Sequence, residues 1–311
     1  MKAIDAAEGG IFDISWSPDS EWVAYVRGGD EICIAQVESG EIRVIGPGAS
    51  PWMTPDRSVV LERGDEILKV TAKGERRLLG RNDLVKESPK RAPTLSPDGG
   101  RCLFVACNLF DKESQLKNAY PYRHFLGIYD LEKGKGRLTE ESWYGGSAAW
   151  FPDGERFVHD EFDSTGGARI HVVSGEGEHL GTMFGLYPAI SPDGTRIACK
   201  PRGGGNVVVY TSKDASWDEE AVGTSVLKLP EGGGKLSATP PLWLDNRLVL
   251  VDEGGKLFRV DTRKEKAEEH RKLPVPVHRG RHAMAISNDR TKVALEREVE
   301  GRFELVVASL V

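Results

Sequence analysis

A short turn sequence recurs along the chain and constrains the fold more than any other feature. Its clearest copies read Ser-Pro-Asp-Gly or Phe-Pro-Asp-Gly, at residues 96–99, 151–154 and 191–194. Proline presets the first corner of a type I turn, aspartate caps backbone amides, and glycine accepts the left-handed exit. Four weaker copies complete the series, so that the turn aspartates are Asp19, Asp56, Asp98, Asp153, Asp193, Asp245 and Asp289.

Each turn aspartate marks one structural repeat. Successive aspartates are separated by 37, 42, 55, 40, 52 and 44 residues, which are lengths typical of a propeller blade. A short strand precedes each turn, as at residues 12–16, and an apolar strand follows it, as at residues 22–26. Third and fourth strands complete most repeats. Four antiparallel strands repeated radially predict a β-propeller, and 36 glycines with 17 prolines agree with many short strands joined by turns.

The last repeat lacks a fourth strand. After the strand at residues 303–308 the sequence ends at Val311, whereas Lys2-Ala3-Ile4 precedes the first repeat. We predict that this N-terminal strand joins the last blade and closes the ring, because closure removes an open sheet edge. The sequence therefore predicts an all-β, seven-bladed propeller that forms a single domain over residues 1–311.

These repeats resemble the TolB-type, WD-repeat-like β-propeller family. The resemblance rests on the tetrads, each between an inner strand and an apolar strand, and on repeat endings such as Arg137-Leu138-Thr139. It covers nearly the whole chain. The resemblance implies the fold and leaves the function open, since such repeats occur in TolB, in peptidase propellers and in propeller-fold polysaccharide lyases.

The longer loops indicate which end of the ring would carry a site. The tetrad turns lie on one face, here called the bottom. The connections from second to third strands and the links between blades lie on the opposite face, the top. A long insertion at residues 108–124 and the link at residues 81–92 both belong to the top. Aromatic, arginine and histidine side chains there predict a site for an anionic ligand or a sugar. The binding candidates are Arg91, Tyr122, Arg123, Trp143, Tyr144, Arg202 and Arg281, and the catalytic candidates are His124, Tyr187 and His282.

The remaining histidines and the cysteines show no metal-binding pattern. His159 occupies a position that holds mostly core residue types in the other repeats, so we interpret it as a buried histidine between blades. His171 and His179 lack a partner at ligand spacing, and the four cysteines, without a C-x-x-C pair, are interpreted as buried thiols. We expect no metal and no cofactor. A bottom-face insertion at residues 212–223 carries Trp217, which either docks a partner or packs on the ring.

The sequence contains no recognisable catalytic motif: a G-x-S-x-G elbow and a P-loop are both absent from it. We therefore favour a non-catalytic scaffold that presents its top-face loops to a protein, peptide or carbohydrate partner. The alternative is an enzyme similar to the propeller-fold polysaccharide lyases. Such an enzyme needs a histidine or tyrosine base and positive charge that neutralises a uronate.

Charge and hydropathy exclude two classes of partner. A net charge of −6 and a pI of about 5.8 argue against nucleic acid and against an anionic membrane surface. No apolar run approaches the roughly 18 residues of a membrane span, and the N-terminal residues lack the pattern of a signal peptide. We expect a cytoplasmic protein; a secreted or periplasmic protein whose signal peptide has been removed is the alternative.

Overall fold

The computed structural model describes residues 1–108, 123–141, 144–162, 167–213, 217, 222–230, 239–253, 255–275 and 283–310, with the backbone alone at 108, 123–124, 140–141, 144–146 and 162. Over these ranges the regular structure is entirely β-strand. None of the described segments is a helix with the length and apolar character needed to cross a membrane. In chain order the strands are β1 (Lys2–Ala7), β2 (Ile11–Trp16), β3 (Trp22–Arg27), β4 (Glu31–Gln36), β5 (Ile42–Pro47), β6 (Ala49–Met53), β7 (Val59–Arg63), β8 (Glu66–Thr71), β9 (Gly74–Leu79), β10 (Lys90–Leu95), β11 (Arg101–Asn108), β12 (Arg123–Asp130), β13 (Lys135–Glu141), β14 (Tyr144–Trp150), β15 (Arg156–Phe162), β16 (Ala168–Ser174), β17 (His179–Phe184), β18 (Leu186–Ile190), β19 (Arg196–Lys200), β20 (Asn206–Ser212), β21 (Val222–Lys228), β22 (Leu242–Trp243), β23 (Leu248–Glu253), β24 (Lys256–Asp261), β25 (Lys266–Glu269), β26 (Met284–Ile286), β27 (Lys292–Val299) and β28 (Arg302–Ser309).

The strands of the described residues form seven antiparallel sheets of four strands each, and each sheet is one blade. Blades 1 to 6 take four consecutive strands each, from β2–β5 through β22–β25. Blade 7 combines β26, β27 and β28 with β1. The inner strands β2, β6, β10, β14, β18, β22 and β26 contact one another in succession, and β26 contacts β2. The prediction of a seven-bladed β-propeller is confirmed.

Strand β1 closes the ring in the predicted way. It pairs antiparallel with β28, with Lys2 opposite Val307. The carboxylate of Asp5 then links this strand to blade 1, since it accepts hydrogen bonds from the Tyr25 hydroxyl at 2.5 Å and from the Arg27 guanidinium at 3.0 Å. The closing strand thus bonds to the last blade through its backbone and to the first blade through a side chain.

The tetrad turns are held by a small hydrogen-bond network. Asp98 Oδ1 accepts from the Ser96 hydroxyl at 2.5 Å and from the Gly100 amide at 3.0 Å. The Ser96 hydroxyl in turn accepts from the Arg101 amide at 2.9 Å. These bonds, led by that of Ser96, lower the pKa of Asp98. The same hydroxyl-to-aspartate bond is made by Ser17, Thr54, Ser191 and Ser287.

The core lies between the blades, where facing sheets bury their apolar side chains. Trp217 of the bottom-face insertion belongs to this core. Its side chain is only 1% exposed, and its ring lies 5.6 Å from that of Phe151 in an edge-to-face arrangement. The Trp217 backbone carbonyl also approaches Gly181 so closely that an added Cβ would lie 2.2 Å from it. Trp217 therefore packs on the ring, and the docking alternative is wrong because no surface of its side chain remains for a partner.

Candidate functional site

The inner strands surround a central channel, and its described part contains an apolar cavity of about 190 Å³ beside blades 4 to 7. Alanine, proline, tryptophan, isoleucine and methionine side chains form most of its wall. Arg290 enters the cavity from the bottom-face turn of blade 7 and donates a hydrogen bond to the Trp243 carbonyl at 2.7 Å. Burial lowers the pKa of Arg290. The channel suits apolar groups better than charged ones.

Three tryptophans stiffen the channel wall. Each stands at the end of an inner strand and donates its indole Nε1–H to a carbonyl on the inner strand of the preceding blade. Because a buried indole N–H needs an acceptor, these bonds couple the position of one blade to that of its neighbour. The pairs are Trp16 with Ala285 at 3.0 Å, Trp150 with Thr94 at 3.0 Å, and Trp243 with Ala189 at 2.9 Å.

At the top end of the channel the inner strands contain β-bulges. Four of these bulges place a residue other than glycine in the left-handed region, with φ between 48° and 55°. Such a conformation costs on the order of 1–3 kcal/mol and persists only where surrounding contacts enforce it. The four residues are Asp13 in blade 1, Ser50 in blade 2, Ala92 in blade 3 and Tyr187 in blade 5.

Carboxylates from the preceding blade stabilise three of these bulges. The Tyr187 amide donates to Asp160 Oδ2 at 3.0 Å, and the second oxygen of Asp160 accepts from the Ser147 amide at 2.8 Å. The Asp160 side chain is fully buried, so both bonds form in a medium of low dielectric constant, where they are strong. Equivalent bonds join Asp13 to Ser50 at 3.0 Å and Glu62 to Ala92 at 2.9 Å. In blade 1, Glu296 accepts instead from the Ile11 amide at 3.0 Å, two residues before the bulge residue Asp13.

Blade 5 bonds to the next blade through a cation. Lys200 is fully buried, and its ammonium group donates to the Asp252 carbonyl of blade 6 at 2.6 Å and lies 3.7 Å from the Glu253 carboxylate. These buried charges were not among the predicted site residues, although the sequence contains a signal for them. Each of four consecutive repeats carries a charged residue seven positions after its turn aspartate, in the strand that follows the turn: Asp160, Lys200, Asp252 and Glu296.

Two predicted site residues lie in strands and not in the links where we expected them. Arg91 belongs to inner strand β10, and Tyr187 belongs to inner strand β18 at its bulge. The bulge explains the error, because it interrupts the alternation of side chains by which a strand is recognised. Arg91 lies 3.9 Å from Glu62 and 3.7 Å from Asp65, and these carboxylates offset its charge. Arg202 lies in the β19–β20 connection at the top, as predicted.

For the other candidate residues the structure describes either the backbone alone or nothing. Arg123 and His124 begin strand β12, and Tyr144 begins β14; all three were expected in loops, and the strands extend further toward the top than their apolar segments suggest. Their side chains lie outside the described residues, as do Tyr122, Trp143, Arg281 and His282 entirely. The convergence of His124, Tyr187 and His282 on one pocket stays a prediction.

Blade 4 contains one histidine buried as predicted and a pair of histidines that the fold brings together. His159 is only 3% exposed, and burial lowers its pKa to about 4, which confirms that this histidine is buried. His171 and His179 have no partner at ligand spacing along the sequence, but the fold brings His171 Nδ1 within 3.4 Å of His179 Nε2. Strand pairing produces this contact, and spacing along the chain does not reveal it. Within the described ranges, no group of three or more histidine, cysteine, aspartate or glutamate residues is arranged to hold a metal ion.

Comparison with known proteins identifies similar folds. No family model matches the sequence, and no curated protein matches it. The structure is similar to an oligogalacturonate lyase from Vibrio parahaemolyticus, with 12% identity, a TM-score of 0.69 and coverage of 100% of this chain and 92% of that chain. It is similar to an oligogalacturonate lyase in complex with manganese, with 13% identity, a TM-score of 0.68 and coverage of 95% and 88%.

A third similar structure is the Cps50 (Swd1) β-propeller domain of Myceliophteria thermophila, with 10% identity, a TM-score of 0.63 and coverage of 99% of both chains. At such low identity the three structures share the fold of this chain, and the shared fold does not determine the function. The chain is thus a seven-bladed β-propeller similar in architecture to proteins of different kinds.

Proposed function

We propose that this protein is a non-catalytic scaffold that binds a protein, peptide or carbohydrate partner at its top face. The observation that supports this proposal is that buried and half-buried charged side chains join neighbouring blades around the ring. Toward the top end of the described residues, five of the seven interfaces between blades carry a charged side chain that bonds to the backbone of the next blade. These groups hold the ring together, and the described mouth of the channel is therefore a rigid platform.

A rigid platform favours binding because little conformational entropy is lost when a partner docks. The connections between the second and third strands of the blades differ greatly in length along the sequence. The connection between β11 and β12 comprises residues 109–122, whereas the corresponding connections in blades 1 and 2 comprise only residues 28–30 and 64–65. Long loops on a rigid scaffold are the usual carriers of specificity. We place the partner above blades 3 to 5, beside Tyr187.

A comparison of captured partners tests the proposal. The bait is the purified chain, immobilised as wild type or as a top-face variant with Tyr122→Ala, Trp143→Ala and Tyr187→Gly. Glycine is chosen at Tyr187 because it adopts the left-handed conformation without strain. Lys135→Ala serves as the matched control, since Lys135 is an exposed residue at the bottom end of β13.

We expect partners that bind both the wild type and the bottom-face control to be lost from the top-face variant. Proteins and labelled oligosaccharides are both offered, so the class of the partner is identified in the same experiment. Equal retention by all three baits would refute binding at the top face.

A lyase is the second candidate function, and it has its own observation. Tyr187 is a potential base whose backbone is held at a φ of 55° on the channel rim, and strained residues cluster at functional sites. Two of the similar structures are oligogalacturonate lyases. Against this reading, Arg91 lies close to two carboxylates, and the described residues offer no cluster that fits the manganese of the similar lyase.

Elimination from a uronate creates a conjugated double bond, so ultraviolet absorbance measures it directly. We would follow this absorbance over a panel of polygalacturonate, alginate and glycosaminoglycan substrates, with and without added manganese. A rise that disappears in the Tyr187→Phe variant would support the lyase. A flat trace with every substrate would eliminate it and leave the scaffold.

A further inference from the structure

Three histidines form a row across blade 4, on the strands outside the channel wall. Strands β15, β16 and β17 pair so that His159 lies opposite His171, and His171 lies opposite Thr182. The rings of His159 and His171 stack with centroids 5.2 Å apart, and His179 meets His171 edge-on at 5.5 Å. The row runs from the buried His159 to the exposed His179.

Hydrogen bonds determine which ring nitrogens in this row have lone pairs. His171 Nε2 contacts the Glu161 carboxylate, so this nitrogen carries the proton and Nδ1 of the neutral ring keeps its lone pair. That Nδ1 lies 3.4 Å from His179 Nε2. The Thr182 hydroxyl oxygen lies 2.8 Å from His179 Nε2 and 3.2 Å from His171 Nδ1. Two imidazole nitrogens and a hydroxyl oxygen therefore converge.

We propose that His171 and His179 form a two-histidine binding site for a divalent transition-metal ion such as zinc. Two nitrogens that are each about 2.0–2.1 Å from a tetrahedral zinc ion are separated by about 3.3–3.4 Å. The separation of 3.4 Å between His171 Nδ1 and His179 Nε2 matches this nitrogen–nitrogen distance, so neither strand has to move. Imidazole is a preferred ligand of zinc, copper and nickel.

The surroundings of the pair resemble the outer shell of known metal sites. A histidine ligand usually donates its other ring N–H to a carboxylate, which fixes the tautomer and raises the basicity of the ligating nitrogen. Glu161 occupies this place for His171. The positive charge of Arg169 near His171 disfavours a bound cation, and the negative charge of the Glu161 carboxylate offsets it. The stack against buried His159 holds the His171 ring in its orientation.

The proposed site is open and not closed. The described residues supply no third histidine, cysteine or carboxylate ligand, so the Thr182 hydroxyl and water would occupy the remaining positions. The exposure of His179 provides the route by which an ion enters. An open site of this kind binds metal reversibly and accepts an external ligand, in contrast to a structural zinc site with four protein ligands.

Isothermal titration calorimetry with zinc chloride tests the site on the full-length chain without a histidine tag. We expect saturable one-to-one binding by the wild type. His171→Ala and His179→Ala each remove one of the two ligands, and each should weaken binding at least about tenfold. Glu161→Gln should weaken it about 10- to 100-fold, the range found for outer-shell carboxylates. His270→Ala is the matched control, since His270 follows β25 in blade 6 and its loss should leave zinc binding unchanged.

Folding is monitored separately by circular dichroism and by the thermal midpoint in the presence of a chelator. Because His179 is exposed, the His179→Ala variant should retain the wild-type midpoint under these conditions. Nitrogen-15 spectra of the metal-free protein should show His171 protonated at Nε2. The proposal is overturned if the wild type binds no zinc, if folded His179→Ala binds zinc within about twofold of wild type, or if the His270 control loses binding equally.

Discussion

The Asp160 carboxylate provides the sharpest test of how the ring is held together. It is fully buried and accepts two backbone hydrogen bonds, at 2.8 Å from Ser147 in its own blade and at 3.0 Å from Tyr187 in the next. Asp160→Asn keeps the shape of the side chain. It offers only one acceptor oxygen, however, so that an NH₂ group faces one of the two amides.

The expected cost follows from these contacts. A hydrogen bond to a charged group contributes about 1.5–3 kcal/mol, and a buried amide left without an acceptor costs about 1–3 kcal/mol. Asp160→Asn removes one of the two hydrogen bonds, and the remaining bond has a neutral acceptor in place of a charged one. We therefore expect the free energy of unfolding to fall by about 2–4 kcal/mol. At 1.4 kcal/mol for each factor of ten, the unfolding equilibrium constant rises about 30- to 700-fold.

Guanidinium unfolding followed by tryptophan fluorescence measures this change, with the midpoint and slope compared between variants. Glu155→Gln is the matched control in the same blade. Its side chain is 67% exposed and pairs with Arg101 at 3.2 Å, and an exposed ion pair of this kind contributes about 0–1 kcal/mol. If Asp160→Asn unfolds within about 0.5 kcal/mol of this control, the buried carboxylate does not hold the blades together.

Three further predictions concern packing, turn chemistry and ring closure. Gly181→Ala should destabilise the protein by at least about 1–3 kcal/mol in a thermal melt, because the new Cβ would lie 2.2 Å from the Trp217 carbonyl. Gly203→Ala is the control and should be neutral in the same melt, because no atom lies within 4 Å of its added Cβ. Ser96→Ala should raise the pKa of Asp98 toward its usual value in an NMR titration, since the Ser96 hydroxyl lowers it. The folded-state pKa of Asp98 is depressed, so its stabilisation is present above the unfolded-state pKa and is lost as pH falls through the folded-state pKa; an unchanged titration would refute this account. Deletion of β1 should lower the melting temperature sharply, because blade 7 loses its outer strand and blade 1 loses its carboxylate contact, and an unchanged melting temperature would contradict ring closure.

Much of the candidate site could not be predicted because it depends on strand register. The bulge between Val172 and Val173 shifts the pairing of β16 with β17 by one residue. Without that shift His179 would not lie beside His171, and a separation of eight residues along the sequence does not report the contact. Likewise, nothing in the sequence of strand β15 distinguishes Asp160 from the neighbouring Glu161, and only the docking of blade 5 supplies the Tyr187 amide that Asp160 binds.

The sequence by itself determined the number of blades and the closure of the ring. Both depend on local chemistry that each repeat carries within a few residues, namely a proline and aspartate turn between apolar strands and a spare strand at the N-terminus. The tertiary structure alone decided where the buried charges bond, how the channel rim is strained at Tyr187, and that two histidines of blade 4 meet. These features arise where one strand or blade packs on another, and the physical reason is that bulges and inter-blade contacts set the register only after the chain has folded.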